Sequence, residues 1–164
     1  MNVILIAQLA HKPLSTQSTM NYTKLKLSIE VGLSNGSMNV EIYSNQQLLA
    51  NYTDITSNNI ELSTDVSLPC HLTFNISNKN PAIDTIVNQQ GDIVSDKFVI
   101  LKGLSLGNIP VQCPLLFAIC NYCIDGQVIN KLDTYWAFNG KVVIDLLNDN
   151  FIQWHLKHNN MFDI

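Results

Sequence analysis

The sequence predicts an all-β protein, an antiparallel β-sandwich of jelly-roll type with about ten strands and little helix. Three observations predict it. Apolar and polar residues alternate with period two along most of the 164 residues, a helical period of 3.6 is nearly absent, and Asn, Asp, Gly and Pro punctuate the alternating runs at short intervals. Strands of that kind bury one face each and are satisfied by packing two sheets together.

The elements follow in order. Val3 to Ala10 is a short apolar run with no Lys or Arg before it; it lacks the basic flank of a secretory signal and reads as a strand. Residues 1–20 are accordingly an N-terminal strand or arm, and residues 21–164 one sandwich domain. Over residues 22–31, Leu25, Leu27, Ile29 and Val31 share one face and Lys24, Lys26, Ser28 and Glu30 the other. Ser34-Asn35-Gly36 supplies a turn, and Met38, Val40 and Ile42 alternate after it, so a hairpin is expected there. Residues 46–52 form a shorter strand. Ile60, Leu62, Thr64 and Val66 mark another, and Leu68, Cys70, Leu72, Phe74 and Ile76 a further one with His71, Thr73 and Asn75 opposite.

From Ile83 to Val94 two short strands flank Asn88-Gln89-Gln90-Gly91, where Gly91 suits a positive φ. Residues 97–106 carry Phe98, Ile100, Leu104 and Leu106 on one side and Val99 and Leu101 on the other, which predicts a central strand covered on both faces. Pro110, Pro114 and Gly126 break the rhythm between 108 and 131, leaving a long loop, a helical turn or both. Residues 135–139, 141–147 and 150–157 complete the chain as strands.

Composition excludes several functions. All nine basic residues are Lys, Arg is absent and the net charge is −4, which is unsuited to gripping nucleic-acid phosphates. No stretch approaches the roughly 20 apolar residues of a membrane-crossing helix. Cys120-Asn-Tyr-Cys123 has half the spacing of a zinc knuckle, but Cys70 and Cys113 do not complete it, so the cysteines read as small apolar fillers. His155 and His158 fall at the end of a predicted strand, where a spacing of three does not converge. Only three Glu are present, and Asp84, Asp92, Asp96, Asp125, Asp133 and Asp145 show no pairing suited to glycoside hydrolysis.

Asp84, Asp92 and Asp96 lie around one turn in an Asn-rich neighbourhood. Carboxylate and carbonyl oxygens gathered at a loop are what calcium requires, while Asp and Asn also cap turns by bonding their own backbone. Both readings are open from the residues alone. Tyr135, Trp136, Phe138 and Trp154 gather in the last quarter. Alternation sets Tyr135 opposite Trp136 and Phe138, and aligns Trp154 with Ile152 and Leu156 as a buried residue.

Residues 60–106, with Leu68-Pro69, Asp84-Thr85, Gly91 and Asp96-Lys97, together with Phe138-Asn139-Gly140, resemble the small β-sandwich proteins of tailed bacteriophages infecting marine bacteria. Those are similar in turn to calcium-dependent xylan-binding modules, jelly rolls that hold sugar hydroxyls against a calcium ion. The resemblance implies a non-enzymatic virion component, made in the host cytoplasm, that binds carbohydrate or virion proteins, including copies of itself. It implies calcium at Asp84 and Asp96, to which the turn reading adds Asp92; Tyr135, Trp136 and Asn139 are the candidate sugar contacts, with Tyr135, set by alternation on the exposed side, the foremost. The alternatives are a glycan hydrolase or lyase on the same fold, recognisable by two convergent carboxylates in a groove, and a pure assembly protein with no ligand.

Overall fold

A computed structural model describes residues 21–32, 37–55, 59–111, 120–124, 126–129 and 134–146. The arm 1–20, the turn at 34–36, Cys113, Asp125, Asp133 and the strand expected at 150–157, with Trp154, His155 and His158, lie outside the described residues. No helix among the described residues is long and apolar enough to cross a membrane.

β1 (Asn21–Gly32) fulfils its pattern: Leu25, Leu27, Ile29 and Val31 are buried. β2 (Met38–Ser44) buries Met38, Val40 and Ile42. The two strands nevertheless do not form the expected hairpin. β1 pairs with β4 (Asn59–Leu68) and β8 (Phe98–Leu106), whereas β2 pairs with β3 (Gln47–Ile55) and β5 (Cys70–Ser77). Each strand has one mainly apolar face, and in separate sheets those faces bury one another. The chain changes sheet again between β4 and β5, at the cis peptide Leu68-Pro69.

After β5 come a single helical turn α1 (Pro81–Asp84) and a small hairpin of β6 (Ile86–Val87) and β7 (Ile93–Ser95). Gly91 turns this hairpin at φ +89°, a conformation that costs a residue with a Cβ. The helical turn replaces the start of the strand expected from Ile83. Asn80 caps it through its side chain, and Pro81 opens it with a preset φ. Beyond β8 follow β9 (Ile109–Pro110), β10 (Cys120–Ile124), β11 (Gln127–Ile129), β12 (Tyr135–Trp136) and β13 (Gly140–Leu146). The stretch 108–131, open from sequence, therefore contributes strands.

One sheet runs β12-β8-β1-β4 with β9 on β8, and the second runs β11-β10-β13-β5-β2-β3. Every pairing among the described residues is antiparallel. This is the two-sheet antiparallel sandwich that the alternation predicts. Its inner faces merge in one core, where Phe74 of the second sheet meets Trp136 of the first with ring centroids 5.1 Å apart. Each fully buried Leu or Ile there contributes about 1.5–3 kcal/mol.

β8 corrects the sequence reading. Its register against β1 shifts between Ser28 and Ile29, where Ser28 faces Gly103 and Ile29 faces Leu101. Lys102 is the extra residue of this bulge, so the side-chain alternation inverts across it. Val99 and Leu101 before the bulge, and Leu104 and Leu106 after it, all enter the same core. The strand is covered once, not twice, and Phe98 and Ile100 point to the outer face, half-buried. Phe98 lies across Gly32, where a Cβ would overlap the ring.

Candidate functional site

The segment from Asn78 to Lys97 leaves β5, makes the helical turn and the small hairpin, and returns to enter β8. Two lysines and two aspartates are buried where it closes: Lys79, Asp84, Asp96 and Lys97 are 7%, 2%, 9% and 5% exposed. Charges so deep are stable only when paired and hydrogen-bonded.

They are paired. Lys79 Nζ donates to Asp96 Oδ1 at 2.6 Å and to the Lys97 carbonyl at 3.0 Å. Lys97 Nζ meets Asp84 Oδ2 at 3.1 Å and donates to the Asn78 carbonyl at 3.3 Å. Asp96 Oδ1 also accepts from Thr85 Oγ1 at 2.8 Å and from the Lys97 N–H at 2.9 Å. Tyr135 Oη donates to Asp96 Oδ2 at 3.3 Å. Asp84 Oδ2 takes the Asn80 N–H at 2.5 Å, so the acid reaches back to the start of its own helical turn. Asn139 links the next connection to this pole, with Oδ1 accepting from the Lys79 N–H at 2.9 Å and Nδ2 donating to its carbonyl at 2.6 Å.

Burial disfavours the charged form of Asp84, but the Asn80 N–H and Lys97, with Lys79 farther off, outweigh it and hold the carboxyl below its ordinary range. For Asp96 burial again opposes ionisation, and Lys79, Thr85 and the Lys97 N–H prevail. Both acids are therefore fixed as carboxylates. General acid catalysis needs the opposite, a carboxyl raised toward neutrality and open to substrate.

The structure thus gathers four of the six residues singled out in the sequence, Asp84, Asp96, Tyr135 and Asn139, around Lys79 and Lys97. It sets the other two elsewhere. Asp92 lies at the exposed hairpin tip, where its N–H and Oδ2 bond the Asn88 side chain, which is the turn-capping chemistry of Asx residues. Trp136 corrects the expectation of a sugar contact: the ring is wholly buried against Phe74, so it has no face to offer a ligand. Tyr135 is 38% exposed and stacks at 4.9 Å on Phe98. Asn139 is exposed, but both ends of its amide are engaged by Lys79.

Asp84, Asp92 and Asp96 do not fit calcium. The ion takes six to eight oxygen ligands, whereas the carboxylates of Asp84 and Asp96 face ammonium and N–H donors and Asp92 is apart from them. No group of three or more His, Cys, Asp or Glu suited to a metal occurs among the described residues. Lys79 was the residue to find in the sequence: two lysines bracket the three aspartates in a chain with only nine lysines.

A different polar surface occupies the outer face of the second sheet. Alternation turns Glu41 and Tyr43 of β2, His71, Thr73 and Asn75 of β5, and Lys141, Val143 and Asp145 of β13 away from the core. His71 Nδ1 and Asp145 Oδ1 pair there at 2.5 Å.

No family model matches the chain, and no curated protein does. Among solved structures, the selenomethionine form of vCBM60 aligns with a TM-score of 0.51 at 10% identity, over 79% of this chain and 96% of that one. It is described as linking, by circular permutation, two families of calcium-dependent carbohydrate-binding modules. The likeness is one of fold. vCBM60 in complex with galactobiose aligns with a TM-score of 0.48 at 12% identity, over 74% of this chain and 97% of that one.

Proposed function

We propose that this chain is a non-catalytic carbohydrate-binding β-sandwich. The observation that carries the proposal is the fold shared with vCBM60 over nearly the whole of that module. The pole is consistent with it, since its carboxylates are closed by lysines and offer no acid and base to a glycosidic bond. Calcium at Asp84 and Asp96 is not part of this reading, because Lys79 and Lys97 supply the positive charge there. The absence of Arg and the modest net charge favour neutral, hydroxyl-rich ligands over anionic polymers. A glycan array followed by titration with soluble xylan and galactan tests it. Saturable binding that changes little with salt supports the proposal, and failure to bind any glycan overturns it.

A second reading, the virion component that assembles with other virion proteins or with itself, is favoured by the hairpin above the pole. Ile86, Val87, Ile93 and Val94, with Ile83 beside them, expose an aliphatic patch, and such patches mark contact surfaces. Sedimentation of the wild type and of Val94→Asp separates the two: a concentration-dependent oligomer lost in the variant supports assembly, and a monomer in both opposes self-association.

A further inference from the structure

On the outer face of the second sheet the ladder registers set Asn51, Glu41, Asn75, Lys141 and Cys123 side by side across β3, β2, β5, β13 and β10. Four strand spacings make this row about 19 Å long. Tyr43 and Thr73 stand beside it as the next cross-strand pair. A groove of about 260 Å³ runs over them, lined by Tyr43, Thr73, Asn75 and Lys141 and by Asn45 and Gln46 of the β2–β3 turn.

Hydrogen bonding in this row is incomplete. Glu41 Oε2 accepts from Tyr43 Oη at 3.0 Å and from Asn75 Nδ2 at 3.1 Å. The carboxylate thereby fixes which way the Asn75 amide points, because the reversed amide would set oxygen against oxygen. Asn75 Oδ1 is left as a buried acceptor with no hydrogen-bond partner. Such an atom destabilises the fold unless a donor reaches it.

We infer that this groove is a saccharide-binding surface, taking a linear, neutral glycan that lies along the polar row over Tyr43, Thr73 and Asn75. The inference rests on the carbohydrate-binding reading and names where on the chain it acts. Hydroxyl groups both donate and accept, so neighbouring hydroxyls on one sugar receive the Lys141 ammonium and donate to the side-chain oxygens of Thr73, Asn45 and Gln46 that line the groove. The Tyr43 ring offers an apolar surface to the sugar's C–H face. The charge of the face selects the class: Glu41 and Asp145 outnumber the ammonium of Lys141, which disfavours phosphate or acidic peptide and suits an uncharged polyol.

The test is titration of the ¹⁵N-labelled protein with galactobiose, xylotetraose and cellotetraose, followed by amide shifts. The inference expects shifts centred on residues 41–43, 73–75 and 141–143. It also expects roughly tenfold weaker binding in Asn75→Ala and in Tyr43→Ala, a smaller loss in Lys141→Ala at an exposed position that the fold tolerates, and unchanged binding in Tyr135→Ala. Shifts centred on Phe98 and residues 134–139, with binding lost in Tyr135→Ala, overturn this surface and leave the carbohydrate reading standing. No shifts with any of the three sugars, or with any glycan that the array finds to bind, overturn the surface; no glycan binding at all overturns it together with that reading.

Discussion

The pole at Lys79 and the outer face at Asn75 are both polar, and they differ in whether their hydrogen bonding is complete. At the pole two carboxylates face two ammonium groups, and Asp96 alone accepts from four donors. On the face, Glu41 is served by Tyr43 and Asn75, yet Asn75 keeps an acceptor with none. A buried polar group that is fully partnered holds the chain in place; one that is not calls for a physical explanation. Acidic residues clustered around a turn therefore marked the region whose hydrogen bonding is complete, not the one that keeps an unmet acceptor.

The largest effect that would break this contrast is at the pole. Lys79→Ala should cost about 3–5 kcal/mol in urea unfolding, since Asp96 is left buried with its nearest cation gone. A loss under about 1 kcal/mol would mean that the pole is wet and its pairs are ordinary surface pairs. A core residue supplies the yardstick. Leu101→Ala should cost about 2–5 kcal/mol, while Ile100→Ala, on the outer side of the same strand, should cost about 1 kcal/mol. Equal losses at the two positions would mean that the strand is covered on both faces.

Acid should destabilise the fold through the pole. Asp84 and Asp96 are held below their ordinary value of 3.8 in the folded chain, so the stability they contribute is present above that value and is lost as pH falls through the folded ones. The unfolding midpoint should drop steeply below about pH 4, with a shallower drop in Asp84→Asn. An identical acid dependence in the variant would contradict the coupling. The smallest effect is expected on the face, where Tyr43→Phe should leave the unfolding midpoint nearly unchanged, because its partner Glu41 keeps the Asn75 amide. A large shift there would make the face structural as well.

Much of the fold was legible because alternation reports burial directly. The inner rows of β1, β2 and β5 stand as the pattern places them. Pairing was less legible: nothing local in Ser34-Asn35-Gly36 distinguishes a hairpin from a crossing between sheets, since both bury the same faces. The bulge was hidden for a related reason. Val99, Leu101, Leu104 and Leu106 look like two faces when counted in twos, and only the register against Ser28 and Ile29 shows that they are one. At the pole, chemistry misled where geometry decided. Asp84 and Asp96 were singled out as calcium ligands, but their charge is met by Lys79 and Lys97, which bracket them in sequence and whose burial shows only in the fold. Tyr135 was rightly set on the exposed side, opposite Trp136. Asn75 was legible only as one of three polar residues on an outward face, because its unpartnered oxygen depends on Glu41, 34 residues away.

The measurement that tests the contrast most directly is thermal unfolding of the wild type in excess calcium and in excess chelator. With Lys79 and Lys97 as the cations of the pole, the two curves should coincide. A midpoint lowered by chelator, restored by calcium and made insensitive by Asp96→Asn would contradict the account and place a metal where the lysines stand.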